Sequence, residues 1–286
     1  KQALRLTNCR SNKKDAKLIT MKIASIQMVS SCSLEQNLAV ATKFVQQAAQ
    51  AGSVLVVLPE YFCLLGKADE DKLKIQESFG SGPIQDHLSK LALQNHVFLV
   101  AGTVPISSDN PNRVWNTTLV YSPQGQVIAR YDKIHLFSFS AGAESYDESI
   151  TLQKGSTCTT WDIQHGNDSW KFGLSICYDI RFPEQYRSMG TIDCHIIPAA
   201  FTYTTGQDHW EILLRARAIE NQSYVVASAQ GGTHENGRKT WGHSMVIDPW
   251  GKIISELAQG EGVVYSELQK KQIIDIRTKL PALLHR

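Results

Sequence analysis

Strand and helix patterns that alternate along the chain predict a layered α/β domain in which helices cover sheets. Three observations carry this. Short apolar runs without polar alternation, such as Val54–Leu58, Val97–Ala101 and Tyr224–Ser228, are the pattern of strands buried on both faces. Between them lie segments whose apolar residues recur at helical spacing. No Pro-, Gly- or Ser-rich linker and no tandem repeat divides the 286 residues, so residues 21–286 are read as one domain.

The elements follow in order. Lys22–Met28 alternates into a short strand. Ser33-Leu-Glu-Gln36 has the form of a capping box and opens a helix with an inward stripe of Leu34, Leu38, Ala41, Val45 and Ala48, which Gly52 ends. Val54–Leu58 is the next strand. Pro83 suits a first helical position, with Ile84, Leu88 and Leu91 facing inward. Val97–Ala101 is again a buried strand. Trp115–Tyr121 and Gln126–Tyr131 flank a Ser-Pro-Gln-Gly turn and read as a hairpin. The second half repeats the theme: strand Lys171–Ile176, short helix Glu184–Met189, strand Ile192–Ile197, helix His209–Asn221 and strand Tyr224–Ser228. A hairpin turns at Asp248-Pro-Trp-Gly251, and Gly262–Glu267 supplies an edge strand. In the 209–221 helix, Trp210, Ile212, Leu213, Leu214, Ala216 and Ile219 surround most of the circumference. Such a helix needs cover on several sides, from its own protomer or from a second subunit.

Composition narrows the class. Hydrophobic residues make up 42% and charged residues 20%, a globular balance. No apolar run approaches the roughly 18 residues of a membrane span, so no membrane partner is expected. The net charge is +2, but residues 1–20 carry six basic side chains and one acid. The body is therefore mildly acidic and offers no broad phosphate-binding face, which argues against nucleic acid. The basic stretch 1–20 is read as a disordered or non-native tail. Six cysteines lie scattered without CxxC pairs, so neither a zinc ribbon nor a disulfide framework is expected. With no secretory apolar segment, a reducing cytoplasm is the expected compartment.

Three residues that can carry chemistry each sit just past an apolar strand, where α/β sheets place their sites. They are Glu60 in Leu58-Pro-Glu-Tyr-Phe62, Lys133 in Tyr131-Asp-Lys-Ile-His135, and Cys177 in Ile176-Cys-Tyr-Asp-Ile-Arg-Phe-Pro-Glu184. Singly, each has a plain structural reading: a salt-bridged carboxylate, a solvated strand-end charge, a core thiol. Together, flanked by residues that limit exposure, they are set for desolvation and perturbed pKa values.

LPEYF, YDKIHLF and ICYDIRFPE resemble, in order and context, the three signatures of the nitrilase superfamily of carbon–nitrogen hydrolases. The resemblance spans Met21 to Arg286, and the stretches 201–206, 209–220 and 242–251 look most like its Nit branch. It implies a four-layer αββα sandwich of the nitrilase type, dimerising to αββααββα. It also implies roles: Cys177 as nucleophile, Glu60 as general base, Lys133 as the cation beside the oxyanion, and the Tyr178 backbone N–H as a second oxyanion donor. The family's second glutamate maps onto Glu148, because Glu148-Ser-Ile-Thr-Leu-Gln-Lys-Gly155 fits its pattern, with Glu144 in the preceding loop as the alternative. The implied activity is a cysteine-dependent amidase acting on the terminal carboxamide of a small carboxylated substrate such as deaminated glutathione. 2-Oxoglutaramate is the second choice, and a binding protein that kept the fold without catalysis is the competing class. No metal or organic cofactor is expected; the partners are the small-molecule amide and a second copy of the chain. Arg181, four residues past Cys177 and able to grip a carboxylate with two donors, is the candidate for substrate binding, set against a salt bridge to Asp179 or Glu184. His135, His195, His209 and His243 are read as structural.

Overall fold

A computed structural model describes residues 20–141 and 144–285. The tail reading of 1–20 falls outside these residues except for Thr20, which opens the first strand. In the first half, β1 (Thr20–Gln27), β2 (Leu55–Val57), β3 (Phe98–Val100), β4 (Val104–Ser107), β5 (Val114–Tyr121) and β6 (Val127–Asp132) build one sheet. The β7–β8 ribbon (Ser138–Ala141, Glu144–Asp147) follows, and β9 (Leu152–Gln153) returns to β5. In the second half, β10 (Thr160–His165), β11 (Asp168–Leu174), β12 (Cys194–Ala199) and β13 (Tyr224–Ala229) lie side by side. After the β14–β15 ribbon (Gly231–Thr233, Lys239–Trp241), β16 (Ser244–Ile247) and β17 (Ile253–Leu257) complete the second sheet. β18 (Gly262–Gln269) then crosses back and pairs antiparallel with all of β1 at the edge of the first sheet.

Helices close both outer faces. α1 (Leu34–Gln50) and α3 (Pro83–Asn95) bury Ala41, Val45, Ala48, Ile84, Leu88 and Leu91 against the face of the first sheet that carries Ala24 and Ile26. Alternation then turns Met21, Ile23, Leu55 and Val57 the other way, into a core shared with the second sheet. α4 (Pro183–Ser188) and α5 (Tyr203–Asn221) add Tyr186, Trp210, Leu214 and Ala218 to that core. The layers are thus αββα. Hydrogen bonds cross the buried seam between the sheets. Ser25 Oγ donates to Ala227 O at 2.8 Å, and Ser228 Oγ reaches Ile26 O at 2.5 Å and Val57 O at 3.1 Å.

Several expectations shift. α5 begins at Tyr203, six residues ahead of the expected start at His209, because its first turn is mostly polar. The Ser33 cap forms, accepting from Gln36 N at 3.3 Å, but the Gln36 side chain turns to the Ser31 hydroxyl and only half of the capping box exists. α2 (Asp71–Lys74), α6 (Lys270–Lys279), β4, β10 and the two ribbons had no expectation behind them, being short or only weakly patterned. On α5, Trp210 and Leu214 are fully buried while Ile212 and Ile219 are 69% and 52% exposed. The protomer alone does not cover this helix.

Candidate active site

Each of the three strand-end residues lies just beyond the strand that delivers it. Glu60 follows β2 and Lys133 follows β6, both in the first sheet, whereas Cys177 follows β11 in the second. Lys133 N–H bonds Asn116 O on β5 at 3.0 Å, and Glu60 O accepts Gln230 Nε2 from beyond β13 at 3.0 Å. Cys177 opens a short 3-10 turn, Cys177–Arg181, with φ +48°. A left-handed non-glycine residue costs on the order of 1–2 kcal/mol, so other bonds must hold it there. Asp179, wholly buried, supplies them. Its Oδ2 accepts Ile176 N at 2.8 Å and Tyr131 OH at 2.7 Å, and its Oδ1 accepts His135 N at 2.9 Å, with His135 Nδ1 2.8 Å away. From α5, Arg217 Nε donates to Ile180 O at 2.9 Å. The Cys177 turn is therefore tied to the lysine segment and to the covering helix.

The side chains converge. Lys133 Nζ lies 2.9 Å from Glu60 Oε1 and 2.9 Å from Glu148, and is 1% exposed. Glu60 also accepts Asn116 Nδ2 at 2.8 Å through Oε1 and Ala200 N at 2.9 Å through Oε2. Glu148 accepts Tyr61 OH at 3.0 Å and Phe137 N at 2.7 Å. The Cys177 thiol lies beside Glu60 in the same cleft. Glu60, Glu148, Cys177 and Tyr178 share a cleft with Phe137, Ala200, Phe201 and Thr202.

The electrostatics follow from two carboxylates and one ammonium beside a thiol. Burial, with the Glu148 charge, raises the Glu60 carboxyl above the ordinary range against the pull of Lys133. Burial works against the Lys133 charge too, but the two carboxylates outweigh it and hold the ammonium well above the usual lysine range. Burial and then Glu60 push the Cys177 thiol well up, with Lys133 opposing. The resting sulfur is thus a neutral thiol with a carboxylate lining the same cleft.

Of the two candidate glutamates, Glu148 meets Lys133, while Glu144 lies on β8, its backbone paired with Ala141. Arg181 is not among the residues lining the cleft. Its guanidinium contacts His209 Nδ1 at 3.2 Å and lies over the rings of Tyr178 and Phe201. The salt bridge set against it is absent as well, because Asp179 is taken up by Tyr131, His135 and Ile176. His135 stacks on Phe182 with ring centroids 3.6 Å apart, and His195 is fully buried. The sequence reading missed Asn116 and the linking part of Asp179. A polar residue inside the apolar run of β5 was the one visible signal for Asn116. Arg217 pairs with Glu220 on α5 at 2.5 Å and also holds Ile180 O. Among the described residues no group of three or more His, Cys, Asp or Glu is arranged to hold a metal, and no helix is long and apolar enough to cross a membrane.

The carbon-nitrogen hydrolase family pattern matches residues 22–278. A deaminated glutathione amidase from Synechocystis is 38% identical over 267 residues, covering 92% of this chain and 97% of the relative. Omega-amidase NIT2 from Mus musculus is 33% identical over 267 residues, covering 92% and 94%. Among solved structures, the C. elegans NitFhit protein has a TM-score of 0.85 at 33% identity, covering 94% of this chain, which spans 65% of that protein. Saccharomyces cerevisiae Nit3, a member of branch 10 of the nitrilase superfamily, has a TM-score of 0.81 at 32% identity, covering 92% and 94%. Fold, layer order and sequence agree: the chain belongs to the carbon-nitrogen hydrolase family and is a hydrolase of non-peptide carbon–nitrogen bonds in linear amides.

Proposed function

We propose that the chain hydrolyses the terminal amide of a small carboxylated substrate through a thioester on Cys177. Deaminated glutathione is the leading substrate and 2-oxoglutaramate the second, after the relatives named for deaminated glutathione and omega-amide hydrolysis. The observation that carries the mechanism is the Lys133 ammonium held between Glu60 and Glu148 beside the Cys177 thiol.

Glu60 takes the thiol proton as Sγ bonds to the amide carbon. The carbonyl oxygen gains negative charge, which Lys133 and the Tyr178 N–H stabilise. In the first turn of a helix that amide has no intrahelical partner, and one such donor is worth about 10²–10³ in rate. Glu60 returns the proton to the departing nitrogen as the C–N bond breaks. It then deprotonates the water that attacks the thioester, releasing the acid and restoring the thiol. Glu148 keeps the ammonium aimed. Turnover of an ω-amide panel, followed as release of ammonia or free amine with Cys177→Ser as the blank, tests the reading. No turnover of any carboxylated amide would overturn it.

Because burial raises the Glu60 carboxyl, kcat/KM is expected to rise with pH through an acid limb above the ordinary carboxylate range. Protonated Glu60 cannot accept from the thiol, so activity falls on the acid side. A limb in the ordinary range would count against Glu60 as the base.

The homodimer is also part of this proposal. Ile212 and Ile219 on the outward face of α5 support a second copy of the chain as the cover. Sedimentation is expected to give about twice 31.9 kDa, with Ile212→Asp shifting mass toward the monomer. A parent that sediments as a monomer at micromolar concentration would refute it. The five cysteines among the described residues are free thiols, two of them partly exposed, which supports the cytoplasm as the compartment.

A further inference from the structure

The cleft does not end at Cys177. Past Glu148 and Phe137 it opens into a larger recess with Tyr61, Asp69, Lys72 and Arg238 in its wall. Three cations line this recess, and they differ in what already holds them. Arg238 Nη2 is paired with Asp69 Oδ1 at 2.5 Å, and Lys239 stands exposed on the β14–β15 ribbon. Lys72 is half-buried on α2. Its Nζ donates to Thr151 Oγ1 at 3.1 Å and lies 5.6 Å from the centre of the Tyr61 ring. It makes no ion pair among the described residues.

The nearby carboxylates have other partners. Asp69 holds Arg238, Glu148 holds Lys133, Tyr61 OH and Phe137 N, and Asp147, also in the wall, accepts Ser149 N and Ser149 Oγ. A desolvated ammonium without a counter-ion is unfavourable until an anion arrives. Burial pulls Lys72 below the ordinary lysine range, against the opposing pull of Asp69 and Glu148. The ring beneath it strengthens the attraction for the charged form.

We propose that Lys72, flanked by Arg238, is the anchor for the free carboxylate of the substrate, a role that rests on the amidase reading above. Tyr61 sets the spacing. Its hydroxyl bonds Glu148 in the catalytic cluster and its ring carries Lys72. The anchor and the reacting centre are thus about one tyrosine side chain apart. Such a site selects amides whose carboxylate lies a few methylenes from the carbonyl. It discriminates against neutral amides, which leave the ammonium unpaired. The anchor sits on the Glu60 side of the cleft and not on the Arg181 turn.

The test uses protection of Cys177 from iodoacetamide, which requires no turnover. Levulinate, a keto acid with a carboxylate two methylenes from a ketone, is the probe; methyl propyl ketone is its neutral counterpart. Levulinate is expected to slow alkylation of the parent. Lys72→Gln and Lys72→Met are expected to raise the concentration for half-protection by about ten- to a hundredfold, and Lys72→Arg to recover part of the loss. Melting curves of the two neutral variants check that they fold; either one suffices. In turnover, the ratio of kcat/KM for a carboxylated amide over its neutral counterpart is expected to fall by a similar factor, through KM. Protection unchanged in a folded Lys72→Gln or Lys72→Met, or lost in Arg181→Ala but kept in Lys72→Gln, overturns the proposal. A chain that binds levulinate through Lys72 yet hydrolyses no carboxylated amide would fail the amidase reading and leave the anchor standing.

Discussion

Replacing Cys177 by alanine is expected to reduce turnover of every amide substrate by about 10⁴-fold or more, since loss of a covalent nucleophile removes the step through which the others act. Glu60 and Lys133 have no substitute bond-forming atom to serve. The fold should survive, because Asp179 and Arg217 hold the turn through Ile176, Ile180 and Asp179 itself and do not use the thiol. The same site should be hard to alkylate without a base. Burial holds its thiol neutral, and Glu60 is the group placed to take the proton as the sulfur attacks, so iodoacetamide labelling of Cys177 should slow markedly in Glu60→Gln. Retention of more than a few per cent of parental kcat in Cys177→Ala would overturn the nucleophile assignment.

Lys133→Met is expected to damage stability and rate together. It leaves Glu60 and Glu148 in the site without the cation they share, and removing one partner from a buried ion pair costs about 3–5 kcal/mol. The rate should fall by about a hundredfold or more, because the ammonium beside the developing oxyanion is gone. The pH dependence has a definite sign. Without Lys133 the buried Glu60 carboxyl, already raised by burial, binds its proton more tightly than in the unfolded chain, so the deficit shrinks as pH falls and grows as pH rises toward neutrality. Urea melts of parent and variant at two pH values measure this. Adding Glu60→Gln to Lys133→Met should restore part of the stability and none of the rate. A Lys133→Met protein as stable as the parent at neutral pH would mean that the carboxylates are solvated and the cluster is not the buried one described.

What the chain reveals before folding divides along a physical line. Strands such as Leu55–Val57 and Tyr224–Ala229 are buried on both faces and carry that burden as apolar composition, so they are legible. Glu60, Lys133 and Cys177 are legible because each follows such a strand within a few residues. The β7–β8 and β14–β15 ribbons are short hairpins of three or four residues a strand and carry no period of their own. Arg181 shows the limit of reasoning from proximity. Four residues from the sulfur in sequence, it faces His209 and two rings, because the 3-10 turn rotates it away from the cleft. Lys72, 105 residues from Cys177 in the chain, lies in a helix of four residues that no pattern announces.

The hydroxyls of Ser25 and Ser228 act on the site without touching it. Glu60 and Lys133 ride on one sheet and Cys177 on the other, so catalysis depends on how the two sheets are aligned along their common plane. Apolar contact alone is non-directional and would tolerate small slides of one sheet over the other. A hydrogen bond tolerates almost none, since its strength falls steeply with distance and angle. Ser228 bonding both Ile26 O and Val57 O, and Ser25 bonding Ala227 O, therefore behave as dowels between two machined plates. They fix the sheet that delivers Glu60 and Lys133 against the sheet that delivers Cys177, far from the cleft where the three converge.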